Sequence, residues 1–461
     1  MIRQARSLIT RFVPEGAALL SALIFASYLM GLVRDRIFAQ TFGAGPELDA
    51  YNAAFVLPEL LFDVLVEAGL AAAFIPIFVK LRATHADPEV ANRFGRTILT
   101  LGVAVMGVGS LVLLVFAEAF TGWIAPGFAG EQRELYVGLF RVMLVTQVLF
   151  AASLTLGQVL LAEQRFFWYG LAPLLYNAGI VAGTIALGGN LGIFGAAIGA
   201  ILGAAVHLGS RFIGLRGSSF RIRLGWSAPR SSVREFIRLT IPKLASQPVE
   251  PVAFLFFTNV ASGLAAGSLS IFNYARNFQS LPVSLVGVAF AIAAFPSLSA
   301  AYARGDRRGY LRLFGTNLVS IVGLTIFAAL AMVVLGELGI GILLGGGEFG
   351  ADEVARTAAV LGAFALSVPF ESVAHLLSRA IFATRQTLLQ ALASIAGLEI
   401  TMAATILLLP SFGILALPFG FAIGQASKVA LLAVILAVRL WGWQPEVPAR
   451  HDDPWGGSTQ G

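Results

Sequence analysis

Long apolar stretches separated by short polar connections fill almost the whole chain. A membrane-spanning helix needs about 20 predominantly apolar residues, and each stretch is long enough to cross a bilayer. Several are longer than this, which predicts helices that tilt or extend past the membrane surface. We predict twelve spans, at residues 14–40, 50–79, 97–121, 134–161, 166–188, 191–212, 234–262, 268–301, 311–344, 355–382, 386–409 and 412–439.

The second six spans repeat the first six about 221 residues later. Three glycines and one proline mark the repeat: Gly192, Gly199 and Gly203 return as Gly413, Gly420 and Gly424, and Pro76 returns as Pro296. We therefore predict an all-α polytopic membrane protein with twelve transmembrane helices in two pseudo-symmetric six-helix bundles, residues 1–212 and 234–440. A cytoplasmic linker (213–233) joins them and a cytoplasmic tail (441–461) follows. Parallel repeats of this kind place substrate sites near the membrane midplane, between the repeats.

The composition excludes several classes of function. Hydrophobic residues make up 57% of the chain and charged residues 12%, whereas a soluble domain carries about 25% charged residues. Cysteine is absent and the four histidines show no ligand spacing, so we expect neither a disulfide nor a metal site. The chain has no Walker motif. Its Gly345-Gly346-Gly347 run falls in a predicted external turn and not between a strand and a helix, so we interpret it as a loop. We expect no cofactor and no enzymatic activity.

The 31 basic residues lie mostly at the N-terminus, in the connections that follow even-numbered spans, and at the C-terminus. By the positive-inside rule, this distribution places both termini in the cytoplasm. It indicates contact with anionic membrane lipids, not with nucleic acid. Examples are Arg3, Arg6, Arg11, Lys80, Arg82, Arg93, Arg96, the run from Arg211 through Arg238, Arg304, Arg307, Arg308 and Arg312.

Ionisable residues inside the predicted spans indicate function, because each is costly unless it is paired or faces water. Glu59, Asp63 and Glu67 are spaced four and four along span 2, which places three carboxylates on one helical face. Such a face needs water, a cation or basic partners, and we predict that it lines an aqueous cavity. The other intramembrane charges are Arg34, Asp35 and Arg36 in span 1, Lys243 and Glu250 in span 7, Arg276 in span 8, Glu371, His375 and Arg379 in span 10, and Lys428 in span 12.

Simpler interpretations of these charges remain open. Arg36 can neutralise Asp35, and Glu371 and His375 can pair with Arg379 or with another helix. Arg379 and Lys428 can snorkel to the cytoplasmic edge of the membrane. Prolines inside spans 2, 7 and 8 predict kinks, which are either static bends or hinges. The prolines are Pro58, Pro76, Pro242, Pro248, Pro251, Pro282 and Pro296.

The end of span 1 resembles a known family signature. Gly31-Leu32-Val33-Arg34-Asp35, Phe42-Gly43-Ala44-Gly45 and Asp49-Ala50-Tyr51 are similar to the GF-x-RD…FGAG…DAF signature of the MurJ/MviN lipid II flippases. These belong to the superfamily of multidrug, oligosaccharidyl-lipid and polysaccharide exporters. The likeness continues through Glu67-Ala68-Gly69, Pro296-Ser297-Leu298-Ser299 and Gly347-Glu348-Phe349.

The resemblance implies an alternating-access flippase. Such a protein moves lipid II, a polyprenyl-pyrophosphate-linked peptidoglycan precursor, from the inner to the outer leaflet of the bacterial cytoplasmic membrane, and a cationic cavity receives its headgroup. From the resemblance and the intramembrane charges together, we predict that Arg34, Asp35, Asp49, Asn52, Asp63, Glu67, Arg276 and Asn277 bind substrate. We predict ion-binding or gating roles for Glu59, Glu250, Glu371, His375 and Arg379.

The chain also departs from the family pattern. A cavity arginine is replaced in Ser27-Tyr28, an arginine pair reads Phe62-Asp63, the span 8 arginine is displaced by one position to Arg276, and an acid after span 10 is absent from Gln386–Gln390. The family's last two spans, which line a lipid-tail groove, have no counterpart among the twelve. Two alternatives follow: a cation-coupled exporter of drugs or of another polyprenyl-pyrophosphate-linked glycan, and a membrane scaffold that does not transport. A positive cavity would favour the flippase and a negative one the exporter.

Overall fold

A computed structural model of the protein describes residues 15–67, 69–246, 249–384 and 386–443. Regular structure in these ranges is helical. The α-helices are α1 (Glu15–Phe42), α2 (Pro46–Phe62), α3 (Ile75–Thr84), α4 (Glu89–Val115), α5 (Ala117–Ile124), α6 (Gly130–Ala162), α7 (Phe166–Leu191), α8 (Ile193–Gly214), α9 (Arg230–Ser246), α10 (Val249–Ser262), α11 (Ser268–Pro282), α12 (Ala289–Ala303), α13 (Arg307–Leu343), α14 (Ala351–Ala365), α15 (Ser367–Ala383), α16 (Thr387–Phe412) and α17 (Ala416–Trp441).

Each of the twelve predicted spans coincides with one helix or with consecutive helices. In the described ranges, seven helical segments are long and apolar enough to cross a membrane. One of them, Thr387–Trp441, contains two predicted spans, and the bent pair α14 and α15 raises the number to eight. The protein is therefore an all-α polytopic membrane protein, and twelve is an approximate count of its spans.

The internal repeat is visible in the backbone. Gly192 and Gly413 end α7 and α16, and both adopt a φ of 53°, a conformation that favours glycine. α6 and the pair α14–α15 also begin and end 221 residues apart. The difference between them is a bend of 42° between α14 and α15, where Pro369 lies in the first turn of α15 and cannot continue the preceding helix.

Small residues bring the last two helices of each repeat into close contact. A side chain at Gly203 of α8 would place its Cβ 2.5 Å from the carbonyl oxygen of Tyr176 in α7. A side chain at Gly424 of α17 would place its Cβ 2.7 Å from the carbonyl oxygen of Gly397 in α16. Glycines at helix crossings let backbones approach in this way inside membranes.

The second helix of each repeat contains π-helical turns. Asp63–Glu67 and Leu70–Phe74 are π-helical after α2, and Val283–Val288 is π-helical after α11. The first and last of these are nearly equivalent in the repeat. Pro58 and Pro282 precede them, and a π turn is a recurrent feature of functional sites. The kinks predicted from prolines in spans 2 and 8 stay a prediction, and Pro248 in span 7 lies outside the described residues.

Contacts group the chain into two compact units. Unit 1 comprises Met1–Tyr274 and Glu337–Thr357, and unit 2 comprises Ala275–Gly336 and Ala358–Gly461. The division into bundles 1–212 and 234–440 stays a prediction. The segment between α8 and α9 is irregular, and its Gly225 and Ala228 donate backbone N–H groups to Thr100 and Thr97 of α4 at 2.8 and 3.1 Å.

Candidate functional site

Arg34 of α1 is the centre of the first cluster of intramembrane charges, in unit 1. Its Nε and Nη2 donate to Asp35 at 3.1 and 2.8 Å, and its Nη1 donates to Oδ1 of Asn177 in α7 at 3.0 Å. The Arg34 side chain is 28% exposed and that of Asp35 10%. A guanidinium group has more N–H donors than these three bonds use. Arg34 is therefore oriented by protein contacts and can still donate to a ligand.

Arg36 does not neutralise Asp35, as one interpretation of the sequence had proposed. It lies on an exposed part of α1, and its Nη1 donates to the carbonyl oxygens of Ile342 and Leu343 at 2.6 and 3.0 Å. These carbonyls are at the C-terminus of α13, where a cation is favourable. Asp35 pairs instead with Arg34, which also donates to Asn177 of α7. This ion pair therefore lies on the face of α1 that contacts α7.

Carboxyl groups gather beside this pair, as the spacing in span 2 predicts. Asp63 is within electrostatic range of Glu59, Glu67 and Glu250, and Glu59 is also within range of Arg34. Glu59, Glu67 and Glu250 are exposed, and Asp63 is half-buried. Among the side chains that the structure describes, one cation, Arg34, thus faces a group of acids in unit 1. In the described ranges, no three His, Cys, Asp or Glu side chains are placed to hold a metal ion.

Tyrosines that the sequence analysis did not select also surround Arg34. Tyr51, Tyr176 and Tyr274 are all within electrostatic range of the guanidinium. Tyr51 and Tyr274 are 3% and 5% exposed, and their hydroxyls have no hydrogen-bond partner in the described parts of the chain. A buried hydroxyl without a partner is unfavourable. These hydroxyls are therefore candidates for contact with a polar ligand group or water. The sequence offered one signal for them, because Tyr51 belongs to the family signature at the end of span 1.

Asp49 of α2 has a structural role at the start of α11. It is 2% exposed, and its carboxylate accepts bonds from the backbone N–H groups of Gly267 and Ser270 and from the Ser270 hydroxyl, each at 2.7 Å. Asn52 Nδ2 also donates to Ser270 Oγ, at 3.3 Å. A carboxylate is favourable at the N-terminus of a helix, so Asp49 caps α11. Substrate binding by Asp49 and Asn52 stays a prediction.

Arg276 of α11 is the centre of the second cluster, in unit 2. Its Nη1 and Nη2 donate to the two carboxylate oxygens of Glu371 in α15 at 3.0 and 2.9 Å. Gln279 bonds to both members of this pair, and the guanidinium lies 4.8 Å from the ring centroid of Phe421. Both charged side chains are about nine-tenths buried. This bidentate geometry is the strongest form of ion pair.

The remaining predicted residues of spans 8 and 10 extend the second cluster. His375 is within electrostatic range of Glu371, Arg379, Lys428 and Arg276. The guanidinium of Arg379 lies 5.8 Å from the Phe295 ring centroid. Asn277 is exposed, next to Arg276 in the chain. Unit 2 thus holds three cations around one carboxylate, the reverse of the balance in unit 1.

The fold and these buried charges define a class of protein, a polytopic α-helical membrane transporter. The family model "Lipid II flippase MurJ" matches residues 38–447, nearly the whole chain. The chain therefore belongs to the lipid II flippase MurJ family, whose members are transporters and not enzymes.

Individual relatives agree with this assignment. The "Probable lipid II flippase MurJ" of Thermotoga maritima is 30% identical over 370 residues, which is 78% of this chain and 72% of the relative. The "Lipid II flippase MurJ" of Burkholderia cenocepacia is 24% identical over 436 residues, which is 91% of this chain and 83% of the relative.

Solved structures show a shared fold. The structure titled "Lipid II flippase MurJ, inward closed conformation" aligns with a TM-score of 0.78 at 22% identity, over 91% of this chain and 87% of that one. An inward-facing multidrug resistance MATE family transporter aligns with a TM-score of 0.78 at 15% identity, over 92% of this chain and 98% of that one. At these identities, the likeness concerns architecture alone.

Proposed function

We propose that this protein moves lipid II from the inner to the outer leaflet of the bacterial cytoplasmic membrane, with both of its termini in the cytoplasm. The family match over residues 38–447 is the observation that carries this proposal. The cargo joins a pyrophosphate and sugars to a long polyprenyl chain. We infer that the headgroup passes through the protein while the chain stays in the lipid.

Arg34 is the residue that we assign first to the pyrophosphate. It is partly exposed, it is oriented by Asp35 and Asn177, and it keeps unused N–H donors. Arginine prefers phosphate groups because its planar fork matches their oxygens. The hydroxyls of Tyr51 and Tyr274, which lack partners in the described structure, are placed to help hold the headgroup.

We infer that Arg276 of unit 2 binds the headgroup by exchanging its carboxylate partner for the pyrophosphate. Its guanidinium is already compensated by Glu371, so a pyrophosphate must replace that carboxylate to gain the full interaction. Removing a partner from a buried ion pair is costly, and binding of the dianionic headgroup offsets that cost. We infer that Glu371 compensates the charge of Arg276 while no substrate is bound, and that His375 and Arg379 attract the headgroup toward it.

Alternating access follows from the π-helical turns. Asp63–Glu67 and Val283–Val288 interrupt the regular hydrogen bonding of spans 2 and 8, next to the residues assigned to substrate. We propose that these turns bend when the headgroup binds. An ion gradient or the membrane potential would drive the cycle; the potential supplies about 2.3 kcal/mol per charge per 100 mV. A coupling cation is a prediction of this scheme.

The acidic cluster of unit 1 favours the alternative function, a cation-coupled exporter of drugs or of another polyprenyl-pyrophosphate-linked glycan. Asp63, Glu59, Glu67 and Glu250 are close together, and such a group attracts cations. Neutralising Asp63 and Glu67 as Asp63→Asn and Glu67→Gln distinguishes the two functions. Restored growth of a flippase-depleted strain would favour the flippase, whereas loss of drug resistance with no growth phenotype would favour the exporter.

Complementation tests the main proposal. Expression of the wild-type chain should restore growth to cells depleted of their lipid II flippase, and Arg34→Ala should abolish this. Arg34→Lys, which keeps the charge but loses the fork, should give partial growth. The matched control is Arg141→Ala, because Arg141 is exposed and only 3.6 Å from an exposed Glu118, a pair of little energetic value. Growth of the Arg34→Ala strain at the wild-type rate, with equal protein in the membrane, would remove Arg34 from the site.

A further inference from the structure

A groove on unit 1 is separate from both charge clusters. It lies between α4, the irregular segment that precedes α9, and α9 itself, and its volume is about 850 Å³. A smaller cavity of about 150 Å³ shares Leu101, Ile237 and Ile241 with it. The smaller cavity extends to Leu65 and Val66, in the π-helical turn that also contains Asp63 and Glu67. The two cavities form one path from the surface to span 2.

Charge and apolar surface are segregated within this groove. Arg230, Arg234 and Arg238 line it and follow one another at four-residue intervals, so they share a face of α9. Arg230 is the first residue of that helix, where the backbone also favours an anion. No carboxylate of the described residues forms an ion pair with them. In the part of the chain that the structure describes, their positive charge is therefore not compensated by an ion pair.

The remainder of the groove is apolar and accessible. Ile237 and Ile241 of α9 are 46% and 59% exposed, and Trp226 at the mouth is 66% exposed. Tryptophan is typical of the membrane interface. The segment that carries Trp226 is fixed to α4 by the hydrogen bonds of Gly225 and Ala228. The groove is thus preformed, with a cationic rim and apolar walls.

We propose that this groove binds one anionic glycerophospholipid of the bilayer, with the phosphate against Arg230, Arg234 and Arg238 and an acyl chain along Leu101 and Ile241. Basic pockets between helices on the cytoplasmic side of a membrane bind anionic headgroups, and the apolar walls match a hydrocarbon chain. A zwitterionic lipid carries an ammonium group that the arginine row repels. The proposal does not depend on the transported cargo.

Native mass spectrometry of the delipidated, detergent-solubilised full-length protein tests this proposal, with phosphatidylglycerol, phosphatidylcholine and undecaprenyl pyrophosphate as separate probes. We expect one phosphatidylglycerol to bind at least about tenfold more tightly than phosphatidylcholine, since about three basic residues face the headgroup. The triple variant Arg230→Ala, Arg234→Ala, Arg238→Ala should lose this preference. The triple variant Arg307→Ala, Arg308→Ala, Arg312→Ala, which removes three exposed arginines from unit 2, should keep it.

A second variant tests the apolar walls without a change of charge. Ile237→Trp narrows both cavities and should weaken phosphatidylglycerol binding while all three arginines remain. Equal binding of phosphatidylcholine would overturn the proposal, as would an unchanged preference in the first triple variant. Loss of undecaprenyl pyrophosphate binding in that variant, with phosphatidylglycerol binding unchanged, would assign the groove to the cargo instead. Deleting residues 444–461, whose Glu446, Asp452 and Asp453 are rival anions for the arginines, should leave phospholipid binding intact. A gain of binding only after this deletion would assign the groove to the tail instead.

Discussion

At the scale of single residues, the buried ion pair of Arg276 and Glu371 is the most sensitive feature of unit 2. Its two charges are held by a bidentate contact and by Gln279. Glu371→Ala should lower the free energy of unfolding by about 3–5 kcal/mol, because it leaves a buried charge without its partner. Thermal unfolding in detergent measures this as a lower midpoint.

The double variant Arg276→Met, Glu371→Met is the control for this prediction. It removes both charges and should be nearer to the wild type in stability than Glu371→Ala, because an apolar replacement of a buried pair is often neutral. The double variant should nevertheless fail to complement a flippase-depleted strain. Equal stability of the single and double variants would contradict the importance of the pair.

Asp49 gives a second prediction at this scale. Asp49→Ala removes three hydrogen bonds of 2.7 Å to the start of α11. The loss of a charged cap should cost about 2 kcal/mol. Asp49→Asn keeps one acceptor oxygen and should cost less. If Asp49 acted only on substrate, both variants would unfold at the wild-type midpoint while losing transport, so unfolding and complementation measured together separate the two roles.

At the scale of elements, the glycine contacts between helices make the repeat testable. Gly203→Ala should destabilise the α7–α8 contact by about 1–3 kcal/mol, because its Cβ would overlap the backbone of Tyr176. Gly209→Ala on the same helix α8 is the matched control, since nothing lies within 4 Å of its Cβ. A helix generally gains up to about 1 kcal/mol when alanine replaces glycine. Similar unfolding midpoints for the two variants would show that the close approach has no energetic role.

Sequence patterns predicted the elements well, and the reasons are physical. A span must satisfy its own backbone hydrogen bonds in lipid, so apolar length alone identified the helices. A glycine that adopts a positive φ also leaves a clear signal in the sequence, and Gly192 and Gly413 marked equivalent helix ends. The π-helical turns were anticipated only as proline kinks, because their wider hydrogen-bond pattern leaves no clear trace in the residue types. Pro369 indicated the bend before α15 in the sequence, but the comparison of the two repeats did not use this residue.

At the scale of the whole molecule, the direction of insertion is the central prediction. The chain contains no cysteine, so single cysteines report their own accessibility. Arg221→Cys lies in the predicted cytoplasmic linker. Asn190→Cys lies at the C-terminal end of α7, which the predicted topology places outside the cell. Both native residues are exposed. A membrane-impermeant maleimide should label Asn190→Cys in intact spheroplasts, and Arg221→Cys only after permeabilisation. The reverse pattern would place the termini outside the cytoplasm.

The sequence by itself determined that this protein is a bundle of membrane-spanning helices and that its halves are duplicates, and it predicted which ionisable groups lie inside the membrane. These follow from local properties, since apolar length, repeat spacing and intramembrane charge need no knowledge of neighbours. Only the tertiary structure decided the partners of those groups. It assigned Asp35 to Arg34, Glu371 to Arg276, and Asp49 to the start of α11. Two of these pairings join positions far apart in the chain, where helix packing selects the partner. In the third, Asp35 has an arginine on each side in the sequence, so the sequence could not select between them.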